Sequence, residues 1–215
     1  MSFLRARAMP VAVAFAIAVA LGVSGPLASR FDHQVCQAAG LVLSSGWAWA
    51  CFAFLVGHAR RSKIESGLLA SSALALAVVV YYVFKFLFPA YPGAQAVPFG
   101  SGDELISKVL VWGAAAFVLG APVGLFGNLA RTPGIGGLPF RLLMPLTAFV
   151  ETSARLEAEA PGQGPLVAIT WQVIRSAAVV AFAAVPVHAL MTWRARRGEP
   201  GAGAEDGSDC LTRHR

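Results

Sequence analysis

Charge is what this sequence has least of. Of its 215 residues only 13% are Asp, Glu, Lys or Arg, while 57% are apolar and the mean hydropathy is +0.65. A water-soluble domain of ordinary composition carries about a quarter charged residues, so a soluble globular domain is excluded. Cysteine is scarce as well. Cys36, Cys51 and Cys210 form no CxxC and no Cys/His spacing, which argues against a zinc site. Cys36 and Cys51 fall on one predicted helix, about 22 Å apart, too far for a bridge. There is no P-loop and no dinucleotide fingerprint, so no cofactor and no metal is called for. No two of His33, His58 and His188 share a helix face.

Long apolar runs are what the chain does have. They predict an all-α, polytopic membrane bundle of six helices, at about 10–27, 36–57, 67–88, 105–129, 138–157 and 166–193. The first run follows a short basic segment and ends near Val23-Ser24-Gly25, so a signal peptide is the alternative to an uncleaved first helix. Pro89 and Pro92 stop the third helix, and 90–102 reads as a loop. The fifth segment is the doubtful one. Its uninterrupted apolar run, 142–150, is too short to span, and Arg141, Glu151 and Arg155 flank it. A re-entrant or surface helix is the alternative there. Residues 194–215 read as a disordered polar tail.

The charges that exist are placed by topology. With six spans and the N-terminus inside, twelve Arg and Lys fall on the inner side and three (Arg30, Lys108, Arg155) on the outer. That is the positive-inside pattern, and it places both termini in the cytoplasm of a cell bounded by this inner, or plasma, membrane. Omitting the fifth helix would put the arginines after Trp193 outside. The net charge of +6 is explained by this bias and implies no nucleic-acid partner. The bilayer itself is the expected partner.

Small residues recur at helical spacing. Gly120-Ala-Pro-Val-Gly124, followed by Gly127, is a GxxxG pattern in the fourth predicted helix. The first carries two alanine ladders, Ala12/Ala16/Ala20 and Ala14/Ala18. These faces suit packing within one bundle, or docking of another membrane subunit through the first or fourth helix. The sequence leaves the oligomeric state open.

Two cations, Lys85 and Arg175, sit at membrane depth. Arg175 falls about 13 Å below the outer surface on the sixth predicted helix, just after Trp171 and Gln172. Lys85 is one turn beyond Tyr81 and Tyr82, and Glu151 is the acid at comparable depth. Ionisable groups inside a membrane need partners or water. Two readings follow. Glu151, Arg175, Lys85, Tyr81, Tyr82, Trp171 and Gln172 converge on an outward-facing pocket for a small anionic or zwitterionic solute, possessed by a binding or transport protein. In the other, Glu151 and Arg175 form a structural salt bridge, Lys85 snorkels, and the protein is structural or interacts without a ligand. An enzyme is not expected. An intramembrane serine protease would need a GxS opposite His188, and the fourth helix has no serine there. Glu151-Thr-Ser-Ala-Arg155 echoes the ExxxR of glutamate-type prenyl-protein peptidases but lacks the paired glutamate, position 150 being valine.

Ser45-Gly-Trp-Ala-Trp49, Gly57 with its following arginines, Tyr81-Tyr82, and Gly120 through Arg131 with Gly137-Leu138 resemble a family of small multi-pass actinobacterial membrane proteins that has no activity to lend. In architecture alone, six helices with both ends inside also looks like the substrate-binding subunits of energy-coupling-factor transporters.

Overall fold

The computed structural model describes residues 2–88 and 102–197. Within them the chain folds into helices α1 (Ser2–Ala28), α2 (Gln34–Leu43), α3 (Gly46–His58), α4 (Lys63–Leu87), α5 (Gly102–Leu129), α6 (Leu138–Ala158), α7 (Ala160–Gln163) and α8 (Pro165–Arg197). A single 3-10 turn, Ile135–Gly137, joins α5 to α6. No strand is present among the described residues. The protein is an all-helical, multi-pass membrane bundle. Four of its helices, α1, α4, α5 and α8, are long and apolar enough to cross a bilayer, and α2 with α3 makes a fifth span if the bent pair is one.

α4 is the central helix. It packs against α1 on one side and against α5 and α3 on the other. Its buried face runs Ser66, Ala70, Ala73, Leu74, Ala77 and Val78, steps of three and four that keep one stripe inward. Lipid tails are as apolar as leucine, so close backbone approach rather than hydrophobic burial rewards helix contact here. The neighbours of α4 are built for that. α1 turns Ala14, Ala18, Gly22 and Gly25 inward, while Ala12, Ala16 and Ala20 face out. Only one of its two alanine ladders is therefore a packing face. A Cβ on Gly22 would sit 2.6 Å from the Ala77 carbonyl oxygen.

The contact of α5 with α4 and α3 is tighter. Gly120, Gly124 and Gly127 are all buried. A Cβ on Gly120 would lie 2.7 Å from Ser71 Cα, and one on Gly124 would lie 2.7 Å from the Ser66 oxygen. Gly57 of α3 meets the Gly124 carbonyl, and Gly127 meets the Phe54 carbonyl. The GxxxG face is thus spent inside this chain. Polar groups close the same end. Asn128 Nδ2 donates to the Arg60 carbonyl at 2.6 Å and to Ser66 Oγ at 3.1 Å. Ser66 Oγ in turn lies 3.0 Å from the Gly57 carbonyl, and His58 Nδ1 lies 3.0 Å from that of Gly127. Arg131 reaches the carbonyls of His58 and Arg60.

α6 and α8 form a hairpin at the edge. Arg155 of α6 and Glu159, which caps it, meet Trp171 of α8, and Leu146 and Phe149 line a cavity with Ala178 and Phe182. Contacts that move backward along α6 as they move forward along α8 make the pair antiparallel. α8 otherwise packs mainly on α7 and α2, and Val173, Val180, Val187 and Met191 stay exposed.

Three expectations need correction. The predicted helix at 36–57 is two helices, α2 and α3, bent by 61° at Ser44–Ser45. The doubtful fifth segment is a continuous helix of 21 residues with Pro145 inside it, but it is not apolar enough to join the other spans. It carries Arg141, Glu151, Arg155 and Glu157. Residues 194–197, assigned to a polar tail, continue α8. The remainder of that tail and the predicted loop, apart from Gly102, lie outside the described residues.

Candidate functional site

The break between α2 and α3 organises the polar groups of the opposite end. Ser44-Ser45-Gly46 interrupts an apolar run, and sharp helix kinks commonly fall at such Gly/Ser pairs. A broken helix in a membrane exposes backbone donors and acceptors that lipid cannot satisfy. Here side chains satisfy them. The Trp49 indole donates to the Leu43 carbonyl at 2.8 Å, closing the end of α2. Ser45, fully buried, donates through Oγ to the Val42 carbonyl. At the start of α3, Glu151 of α6 accepts from the backbone N–H of Gly46 at 2.9 Å and of Trp47 at 2.5 Å. A carboxylate is the group that the positive end of a helix favours.

Glu151 belongs to a line of charges one helical turn apart. Arg155 donates through Nε to Glu151 at 2.8 Å and through Nη1 to Glu159 at 2.8 Å. Glu159 also accepts from Trp171 Nε1 at 3.1 Å. The Arg155 guanidinium lies 5.0 Å from the centre of the same indole ring, a cation–π distance. Trp171 is fully buried. The network joins α3, α6 and α8 and leaves each carboxylate with more than one donor.

The salt bridge expected between Glu151 and Arg175 is not formed. Glu151 is already engaged with α3 and Arg155, and Arg175 lies on the exposed side of α8 with no ion pair among the described residues. Trp171 and Arg175 are four residues apart, yet Trp171 marks the inward face and Arg175 is turned toward the surroundings. Gln172 is exposed beside it. The convergence of seven residues on one pocket therefore does not occur.

Tyr81 and Tyr82 do line a cavity. It occupies about 440 Å³ between α3, α4 and α5, within the ~300–1,000 Å³ range of small-molecule sites. Trp49, Tyr81, Tyr82 and Trp112 supply its aromatic lining, and Ser44 and Gly46 bring the helix break to its wall. Trp49 and Tyr81 meet edge to face with centroids 5.6 Å apart, and Tyr81 meets Tyr82 likewise at 5.2 Å. Lys85 does not line the cavity, but its ammonium stands 5.3 Å from the Tyr81 ring centre. The lining is otherwise Ala, Leu and Val. Trp112 and Leu119 are exposed and form a lateral rim.

Sequence reading missed five features: Arg155, Glu159, the Ser44-Ser45-Gly46 break, Asn128 and Trp49. Arg155 and Glu159 were legible as the i+4 and i+8 partners of Glu151. Ser44-Ser45-Gly46 was a break signal, and Asn128 was the lone amide in an apolar helix. Trp49 as a cap had no such signal, since its partner is a carbonyl. No group of three or more potential metal ligands occurs among the described residues. No family model, curated protein or solved structure matches this chain.

Proposed function

We propose that the protein is a plasma-membrane component that binds a small amphipathic molecule in the aromatic cavity between α3, α4 and α5. The observation that carries this reading is the cavity itself, about 440 Å³ and lined by four aromatic side chains beside a discontinuous helix. Discontinuous helices are a recurrent feature of transporter binding sites, where half-helix ends meet ionic groups. In this protein Glu151 already occupies the positive end of α3. A ligand's anionic or zwitterionic head is therefore assigned to Lys85, and its apolar body to Trp49, Tyr81, Tyr82 and Trp112. Both termini are placed on the cytoplasmic side. This reading counts α6, antiparallel beside α8, as a sixth crossing although it is less apolar than the other spans, and it is supported by the basic groups at the α3–α4 and α5–α6 turns.

The test is a thermal-shift screen in nanodiscs, using amphiphiles of one chain length with carboxylate, phosphocholine or trimethylammonium heads. Ligand at a hundredfold excess over Kd stabilises by about 2.7 kcal/mol. The anionic and zwitterionic members should stabilise the wild type and the cationic one should not. Ala115→Trp, which fills the cavity, should abolish the effect, and Lys85→Gln should remove the head-group preference. Identical shifts in wild type and Ala115→Trp, or no shift with any amphiphile, would defeat the reading.

A second reading is a structural or interaction protein without a ligand. The closed arrangement of Glu151, Arg155, Glu159 and Trp171 favours it, because those charges satisfy one another. A null screen with an intact fold would leave this reading standing.

A further inference from the structure

A second cavity lies at the basic end, remote from the aromatic one. It occupies about 450 Å³ between α1, α3 and α4. Val13 and Ile17 of α1, Phe52 and Leu55 of α3 and Leu69 of α4 are among its walls, and Arg60 is its one charged lining residue. Val13, Ile17 and Leu55 are about half exposed or more, so the groove opens along the side of the bundle.

Arg60 carries an unresolved cost. Its Nη2 is buried and has no hydrogen-bond partner among the described residues. A buried donor left unsatisfied is penalised, a charged one most of all. The backbone holds the residue in place nonetheless. The Arg60 carbonyl accepts from Asn128 Nδ2 at 2.6 Å and from Arg131 Nη1 at 3.1 Å. Arg61, Lys63, Arg131 and Arg141 stand at the same end of the bundle, and Glu65 is the one acid there among the described residues. Arg131 and Arg141 are committed to backbone carbonyls. What the site lacks is an anion, and what its walls accept is a hydrocarbon chain.

We infer that this groove binds an anionic phospholipid, with one acyl chain along α1 and α3 and the phosphate on Arg60. Helix ends rich in Lys and Arg attract anionic lipids generally, at about 1 kcal/mol per cation near the surface. That attraction is diffuse. The groove adds a seat for one molecule, because the cation with the orphaned donor is also the one that lines the apolar cavity.

The experiment is native mass spectrometry of the full chain released from mixed micelles. Phosphatidylglycerol and phosphatidylcholine with identical acyl chains compete at equal concentration. The wild type should retain one phosphatidylglycerol with at least a tenfold preference. Arg60→Gln should reduce that preference to less than twofold, whereas Arg61→Gln with Lys63→Gln should leave most of it. Leu55→Trp, which fills the groove from an exposed position and leaves Arg60 in place, should lose retention of both lipids. Two results overturn the assignment: equal retention of the two lipids by the wild type, or full wild-type preference in Leu55→Trp. Should Arg60→Gln fail to fold, the Leu55→Trp result alone decides the matter.

Discussion

The two ends of this bundle hold helices together in opposite ways. At the basic end, α3, α4 and α5 meet through absence of side chain. Gly57, Gly120, Gly124 and Gly127 let backbone touch backbone, and neutral hydrogen bonds from Asn128 and Ser66 finish the contact. At the other end, α3, α6 and α8 meet through side chains that carry charge, around a helix that is broken. Both arrangements answer one constraint, that backbone polar groups in lipid must be satisfied within the protein. The first end is therefore vulnerable to added atoms and the second to removed ones.

Adding atoms should have the largest effect. Gly127→Leu would drive a side chain into the Phe54 carbonyl, and Gly124→Leu would push on Ala70 and the Ser66 carbonyl. Ordinary overpacking costs about 1–3 kcal/mol because neighbouring side chains yield. The helix backbone that both variants meet, and the Ala70 Cβ fixed to it, do not yield, so either variant should exceed that range and fail to give a monodisperse, thermally cooperative protein. Wild-type melting of Gly127→Leu would mean that α3 and α5 do not touch at that level.

Removing Glu151 comes next. Glu151→Ala strips the acceptor from two backbone donors and leaves Arg155 with Glu159 alone. An orphaned buried donor costs about 1–3 kcal/mol; the Trp47 N–H is part-buried and that of Gly46 exposed, so a loss of about 1–3 kcal/mol in all is expected. Glu151→Gln keeps an acceptor oxygen and should cost less. A double-mutant cycle between Glu151 and Arg155 should give a coupling of at least ~0.5 kcal/mol, the level above which contacting sites depart from additivity. The opposite order of Ala and Gln would show that charge, and not the cap on α3, is what Glu151 supplies.

Asn128→Ala is a smaller test of the basic end. It removes bonds to the Arg60 carbonyl and to Ser66 Oγ, but Arg131 still reaches that carbonyl. Hydrogen bonds between membrane helices average about 0.6 kcal/mol. A loss near that figure in reversible unfolding is expected. A loss as large as that of Glu151→Ala would contradict the backup role given to Arg131.

The all-helical class and the positions of the long helices were legible because long apolar runs and prolines declare themselves one residue at a time, whereas the number of helices was not. The glycine face of α5 was legible for the same reason, its spacing being local. What sequence could not supply is direction around a helix axis. Arg175 and Trp171 share one stretch of α8, and only packing against α6 decides which of them turns inward. The broken span was hidden by hydropathy, which Ser44-Ser45-Gly46 scarcely lowers. Glu151 was singled out, but its partners were sought at the same depth on another helix. They lay on its own helix, at Arg155, and on the backbone of α3.

Arg175 gives the smallest expected effect, and it separates the observed arrangement from the one that charge and depth suggest. It stands ten residues into α8, roughly 15 Å along the axis from Pro165. Helical side chains lean toward the N-terminus, so this one leans toward the near end of the helix. Its aliphatic stem can lie along the apolar surface while the guanidinium rises toward the interface. An arginine placed so holds nothing together within the chain. Arg175→Ala should leave thermal stability within about 0.5 kcal/mol of the wild type, the ordinary range for surface substitutions. Combined with Glu151→Ala, its effect should be additive within the same margin, as for sites that share no partner. A coupling above ~1 kcal/mol in that cycle would restore the Glu151–Arg175 pair and would require α8 to be rotated about its axis, carrying Trp171 away from Glu159.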